Sequence, residues 1–181
     1  MKAVLGGVCL LVLAGTGLAH RLDEYLQATR IAVSSSRIEL AFALTPGVAV
    51  AGQVLPHLDG NRDGQVSTAE ARAYARRFLQ DLVIGLDGKP VTLEAPEVAV
   101  PDLAELREGV GVIRIRTALA MGSLASGGHS LTLTNRHLPG LSVHLVNALQ
   151  PYDPAVHLGR QLRDELQTGY RLDFQVGPGA R

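Results

Sequence analysis

The octapeptide RIELAFAL at residues 37–44 carries the pattern that decides the fold. Its apolar side chains stand at every second position, and they are Ile38, Leu40, Phe42 and Leu44. Successive side chains of a β-strand point to opposite faces of a sheet, so a period of two predicts a strand with one buried face. This stretch therefore indicates a sheet with one side in the core.

Further strand patterns lie on both sides of this stretch. They occupy residues 25–33, 84–86, 91–93, 112–119, 130–134, 141–149 and 170–176. Asp87-Gly88 is a strong hairpin signal between the second and third of these, and Pro139-Gly140 is a turn between residues 130–134 and 141–149. Roughly seven or eight short strands separated by turns are typical of a β-sandwich. We expect a mostly β protein, an antiparallel, Ig-like β-sandwich with an α-helical insertion.

The insertion is expected at about residues 46–82. Its second helix follows a capping box, Ser67-Thr68-Ala69-Glu70, and is predicted to run to about Leu82. The apolar positions of this helix recur at helical spacing and should pack on the sheet; they are Ala71, Tyr74, Ala75, Phe78 and Leu82. Thr45-Pro46 is predicted to start a first helix, which Pro56 should leave short or kinked.

Between the two helices lies the dodecapeptide DGNRDGQVSTAE, at residues 59–70. Calcium takes about six to eight oxygen ligands, and a twelve-residue loop supplies them from positions 1, 3, 5, 7, 9 and 12. Here those positions hold Asp59, Asn61, Asp63, Gln65, Ser67 and Glu70. Gln65 would contribute its backbone carbonyl, and Gly64 allows the sharp turn at position 6. A polar turn that merely caps a helix would explain only one or two of these residues.

The loop thus has the EF-hand calcium-binding pattern, and the sequence holds no second loop of this type. Val66, at position 8, has no partner loop, so it should pack on the sandwich unless two chains pair their loops; we expect the sandwich. Three acids beside Arg62 suggest modest affinity, and extracellular modules commonly bind calcium at about 10⁻⁴–10⁻³ M. A mainly structural calcium ion is therefore expected.

The first nineteen residues are predicted to be a secretory signal peptide. A short positive start precedes an apolar run too short to span a bilayer, and residues 17–19 form a small-residue cleavage site. Cleavage would remove Cys9 and leave His20 as the mature N-terminus. The expected product is a single exported domain, residues 20–181, periplasmic or secreted and without a transmembrane segment.

Composition and motifs exclude several functions. The formal net charge is zero and tryptophan is absent, which argues against nucleic acid as a partner. Motifs of hydrolases, phosphate-binding loops and zinc proteases are missing, so we expect no enzymatic activity. Asp153 is interpreted as a turn former, and Arg163-Asp164-Glu165 as a solvated ion-pair group.

Two stretches are similar to a bacterial family: residues 19–26, AHRLDEYL, and the loop at residues 59–70 with its helix and the Leu86-Asp87-Gly88 hairpin. The chain resembles, over roughly residues 19–95, the extracytoplasmic N-terminal domain of proteins related to the hydrogenase/urease accessory permease family. The resemblance implies an exported calcium-binding domain in a metal-related context. Those proteins continue into a multi-span membrane domain that this sequence lacks, so no transport activity is implied.

Two alternatives remain open at this point. The chain could be a calcium-responsive accessory subunit of a membrane permease or of another protein partner. It could also handle periplasmic copper or nickel, since an N-terminal His20 would offer an amine and an imidazole as a chelate. His137 and His144 flank the Pro139-Gly140 turn and could approach across it, but we expect these histidines to be exposed or hydrogen-bonded near strand ends.

Overall fold

The computed structural model describes residues 23–178. The predicted signal peptide, Cys9 and His20 lie outside this range. The strands are β1 (Tyr25–Val33), β2 (Ile38–Pro46), β3 (Leu82–Leu86), β4 (Lys89–Pro90), β5 (Glu97–Ala99), β6 (Ile113–Ala118), β7 (Gly127–Asn135), β8 (Ser142–Ala148), β9 (Val156–Arg163) and β10 (Gly169–Val176). The helices are α1 (Val48–Val54), α2 (Thr68–Gln80) and α3 (Leu103–Arg107), with a 3-10 turn at Leu55–His57.

The described strands form two five-stranded sheets. The first, sheet A, has the order β5-β6-β2-β1-β8, and the second, sheet B, has the order β4-β3-β7-β10-β9. Every strand pair is antiparallel apart from β1 and β8, which run parallel. The prediction of a mostly β protein is confirmed, and β1 has the bounds read from the sequence.

The Pro139-Gly140 turn does not form a hairpin. β7 belongs to sheet B and β8 to sheet A, so the chain crosses from one sheet to the other at this point. The expected strand at residues 91–93 is also absent from the structure, since this segment contributes only a single bridge from Leu93 to Leu119. The partner of β3 in the Asp87-Gly88 hairpin is instead the two-residue strand β4.

The core lies where the apolar faces of the two sheets contribute to one hydrophobic cluster. Ile38, Leu40, Phe42 and Leu44 of β2 are all buried, as the alternation predicts. Sheet B contributes inward-facing residues from β7 and β10, namely Leu131, Leu133, Leu172 and Phe174. Two sheets that bury their faces together are compatible with a β-sandwich.

The helical segment lies between β2 and β3, within the predicted range. α1 is short and passes into the 3-10 turn at Pro56, as expected from the missing backbone donor of proline. The predicted N-cap at Thr45 is wrong, because β2 continues to Pro46 in register with Tyr25, and Gly47 is the N-cap. None of the helices in residues 23–178 combines the length and hydropathy needed to cross a membrane.

Candidate metal centre

The loop at residues 59–70 joins the 3-10 turn to α2, and two of its residues have the left-handed backbone conformation. Arg62 has φ 61° and Gly64 has φ 85°. Glycine adopts this conformation without the steric cost that a Cβ brings. A Cβ on Gly64 would meet no atom within 4 Å, so the requirement for glycine is conformational and not one of space.

Side-chain oxygens in the first half of the loop accept its own backbone N–H groups. The Asp59 carboxylate accepts from Asp63 N at 3.1 Å and from Gly64 N at 3.0 Å. Asn61 Oδ1 also accepts from Asp63 N, at 2.9 Å, and Asp63 Oδ1 accepts from Gln65 N at 2.9 Å. These bonds direct the oxygens of loop positions 1, 3 and 5 toward the interior of the loop.

Glu70 connects the two ends of the loop. Its Oε1 accepts from Gly60 N at 3.0 Å and from Asn61 N at 3.3 Å. Its Oε2 accepts from Ser67 N at 3.0 Å and from Ser67 Oγ at 2.7 Å. Ser67 Oγ in turn accepts from Glu70 N, which completes the predicted capping box of α2. The hydrogen bond from the Ser67 hydroxyl is the largest cause that lowers the pKa of Glu70.

The side chains at loop positions 1, 3 and 5 carry oxygens, which suit a hard cation such as calcium. In this arrangement Asn61 Nδ2 also donates to Asp63 Oδ2 at 2.8 Å. A carboxylate oxygen has two lone pairs, so each oxygen of Asp59 retains one beside its single backbone bond. Each oxygen of Glu70 already accepts two hydrogen bonds, one pair at Oε1 and one at Oε2. Within residues 23–178, no group of three or more His, Cys, Asp or Glu side chains is gathered closely enough to hold a metal ion.

The side chains of Asp59 and Asn61 thus share one backbone donor, Asp63 N, and Glu70 binds the start of the loop through Gly60 N and Asn61 N. Ser67 serves as the N-cap of α2. The side chain of Gln65 is exposed, as expected for a residue that would contribute only its carbonyl. Asp59 is the buried member of the set, at 8% exposure.

Val66 packs the loop against the hydrophobic core. It is half-buried and lines a surface cavity together with Pro96, Val98 and Val100 around β5. The prediction that Val66 packs on the strands is therefore confirmed. This contact fixes loop position 8 without a second loop of the same kind.

A buried polar network holds α2 at its other end, and sequence reasoning missed it. His137 Nδ1 lies 2.7 Å from Asp81 Oδ2, and His137 Nε2 lies 3.1 Å from the Tyr74 hydroxyl, which also hydrogen-bonds the hydroxyl of Tyr25. Burial lowers the pKa of His137 although Asp81 opposes the shift. A neutral ring with its proton on Nδ1 satisfies both contacts, since Asp81 accepts and Tyr74 donates. Burial also raises the pKa of both tyrosines.

His144 has a different environment. It is 4% exposed, and within the described residues neither of its ring nitrogens has a hydrogen-bond partner. The expectation of an exposed or hydrogen-bonded histidine is therefore correct for His137 and wrong for His144. Their imidazoles do not pair across the Pro139-Gly140 turn, because the nitrogens of His137 bind Asp81 and Tyr74.

The other polar residues singled out in the sequence have structural contacts. Asp153 accepts from Ser35 and from Ala155 N, which confirms it as a turn former. Arg163 forms no ion pair with Asp164 or Glu165; its guanidinium lies over the ring of Tyr170, 5.2 Å from the centroid. The three residues at 163–165 are exposed, as predicted, but the predicted ion pairing is wrong, since Arg163 contacts an aromatic ring and the edge of β8 instead.

Comparison of the chain with family models, with curated proteins and with solved structures finds no match.

Proposed function

We propose that this protein is an exported calcium-binding module in which residues 59–70 form a single EF-hand loop, inserted between two strands of a β-sandwich. The observation that carries the proposal is the inward orientation of oxygens from Asp59, Asn61 and Asp63, held by backbone N–H groups of the same loop. The left-handed turn at Gly64 stands where such a loop requires one. Export rests on the predicted signal peptide.

Calcium would act mainly on the charges of the loop. Asp59, Asp63 and Glu70 place three negative charges in one twelve-residue loop, and a divalent cation among them would offset their mutual repulsion. Bidentate coordination by Glu70 would use both of its oxygens. Oε1 would exchange its bonds to Gly60 N and Asn61 N, and Oε2 its bonds to Ser67, for bonds to the ion. The Gln65 carbonyl and the Ser67 hydroxyl, directly or through a water, would complete an oxygen shell.

The packing of the loop favours a structural role for the ion over a switch. A calcium switch needs helices that are free to change their angle. Here Phe78 of α2 packs on Phe42 of β2 with ring centroids 4.9 Å apart, and Tyr74 is held by His137. Val66 is packed as well. Calcium bound to this loop would therefore stabilise the existing arrangement and would not open a groove.

The test is the calcium-dependent increment in stability of the purified protein. Ligand at about 100 times its dissociation constant adds roughly 2.7 kcal/mol to the free energy of unfolding. We expect millimolar calcium to raise the melting temperature clearly and magnesium to raise it much less. Glu70→Gln should abolish most of the increment while keeping a side chain that can still cap α2.

The quantity to compare is the rise in melting temperature that calcium causes in each protein. Absolute melting temperatures are not sufficient, because Glu70 also caps α2 and its substitution lowers the stability of the metal-free protein. Glu105→Gln, which removes an exposed carboxylate from α3, is the matched control and should retain the full increment. An unchanged melting temperature in millimolar calcium, or equal increments in wild type and Glu70→Gln, would refute the proposal.

A further inference from the structure

Two arginines face each other across an alanine on the outer side of sheet A. Arg30 of β1 pairs with Ala41 of β2, and Ala41 pairs with Arg116 of β6. Residues that pair directly share one face of a sheet. Their neighbours along the strands, such as Ile31, Leu40 and Ile115, are buried in the core. Arg30, Ala41 and Arg116 therefore form one row on the face that points away from it.

The row is part of a cavity of about 410 Å³, which is within the size range of small-molecule sites. Ala41 contributes only a methyl group, so the space between the two arginines stays open. The Cα atoms of Arg30 and Arg116 are two strand spacings apart, roughly 10 Å. Two arginine side chains of ordinary length can bring their guanidinium groups to a common ligand across this distance.

Of the three arginines that line the cavity, one forms ion pairs with glutamates and the other two do not. Arg37 donates to both oxygens of Glu94, at 3.1 and 2.8 Å, and to Glu39 at 3.0 Å, so its charge is offset. In the described part of the chain, neither Arg30 nor Arg116 forms an ion pair. Glu97 of β5 stands opposite Arg116 in the strand register and also lines the cavity, so it partly offsets the charge of Arg116. Arg30 and Arg116 remain the two arginines of the cavity that form no ion pair in the described residues.

We propose that this cavity binds a small organic carboxylate between Arg30 and Arg116. A guanidinium matches the geometry of a carboxylate and holds it with two parallel hydrogen bonds. Three glutamates also line the cavity, and they disfavour a ligand with more than one negative charge, such as phosphate. Ala32, Ala95 and Leu149 line it too and provide apolar surface for an aliphatic body. A short-chain monocarboxylate fits both requirements.

The test is calorimetric titration of the purified protein with hexanoate, acetate and inorganic phosphate. We expect one saturable site for hexanoate, with weaker binding of acetate and phosphate. Arg30→Gln and Arg116→Gln should each weaken hexanoate binding by about tenfold or more, because each removes a hydrogen bond to a charged group. Ala41→Leu should block the site without changing any charge.

Arg114→Gln is the matched control. Arg114 lies on the same strand and the same face as Arg116, pairs with Ala43 and does not line the cavity. Its substitution removes an identical charge and should leave hexanoate binding unchanged. Non-saturable binding of hexanoate, an equal loss of affinity in Arg114→Gln, or full affinity in Ala41→Leu would overturn the proposal. Melting temperatures of the variants show whether each is folded.

Discussion

At the scale of single residues, two buried histidines differ in how their polar atoms are satisfied. Both ring nitrogens of His137 have partners, while in the described residues those of His144 have none. A buried polar group without a hydrogen bond costs about 1–3 kcal/mol by mutational measurements. The burial of the His144 imidazole therefore carries a cost that no hydrogen bond in the described residues offsets, whereas His137 joins α2 to the strands.

We predict that His144→Leu raises the free energy of unfolding at neutral pH by about 1 kcal/mol, because the desolvation cost of the imidazole disappears. Burial lowers the pKa of His144 from 6.5; Asp164 opposes this shift and His137 adds to it. The wild type should thus be fully stable above that ordinary value and should lose stability as the pH falls through the lowered pKa. His144→Leu should lose part of this loss of stability in acid. The rest should remain, because burial also lowers the pKa of His137.

Urea unfolding at about pH 7.5 and about pH 5.5 would measure both effects, since these values lie on either side of the ordinary histidine pKa. His157→Leu is the control, because His157 is an exposed histidine on the edge strand β9. It should change stability by less than about 0.5 kcal/mol. A His144→Leu variant less stable than wild type at neutral pH would contradict the prediction.

At the scale of elements, the local sequence pattern was sufficient to identify a strand where one face of that strand is buried. The alternation in β2, β6 and β10 identified these strands. The helical stripe identified the buried face of α2 apart from Leu82, which begins β3 instead. β9 was missed because it is a largely exposed edge strand in which only Val156 is buried, so its apolar pattern is weak. The sheet assignment of β8 was missed as well, since its parallel pairing with β1 depends on contacts distant in sequence.

The loop at residues 59–70 illustrates the same division. The oxygen-bearing residues, their order and the glycine at position 6 could be read from the sequence, because these are local features. The anchoring of the loop could not be read in the same way. Val66 packs beside β5, and Tyr74 bonds to His137 more than sixty residues away, so both contacts depend on the tertiary fold.

Within this element, we predict that Gly64→Ala lowers the free energy of unfolding of the metal-free protein by roughly 1–2 kcal/mol. The reason is the left-handed backbone of Gly64, which disfavours any residue with a Cβ. Gly60→Ala is the control in the same loop. Gly60 is not left-handed, and its added Cβ would meet Glu70 Oε1 only at 3.9 Å. Urea unfolding in the presence of a chelator should show a clear decrease in the free energy of unfolding for Gly64→Ala only. Equal decreases in Gly64→Ala and Gly60→Ala would contradict the prediction.

At the scale of the whole molecule, contacts that join the two sheets include apolar packing and a buried amide pair. Gln27 of β1 is fully buried, and its Oε1 accepts from Asn135 Nδ2 of β7 at 2.7 Å. The Gln27 amide also donates to Ser142 Oγ and to the carbonyl of His137. Asn135 Oδ1 accepts from His137 N. This pair links a strand of sheet A with a strand of sheet B and with the segment that crosses between the sheets.

We predict that Gln27 and Asn135 contribute to stability as a unit. Gln27→Leu and Asn135→Leu should each lower the free energy of unfolding by about 1–3 kcal/mol, because each leaves the partner amide buried without its hydrogen bond. The double variant should lose less than the sum of the two, with a coupling energy of at least about 0.5 kcal/mol. Urea unfolding of the four proteins measures this cycle. A second cycle, Gln27→Leu with the exposed His157→Leu, should be additive; additivity in the first cycle as well would mean that the amide pair does not couple the sheets.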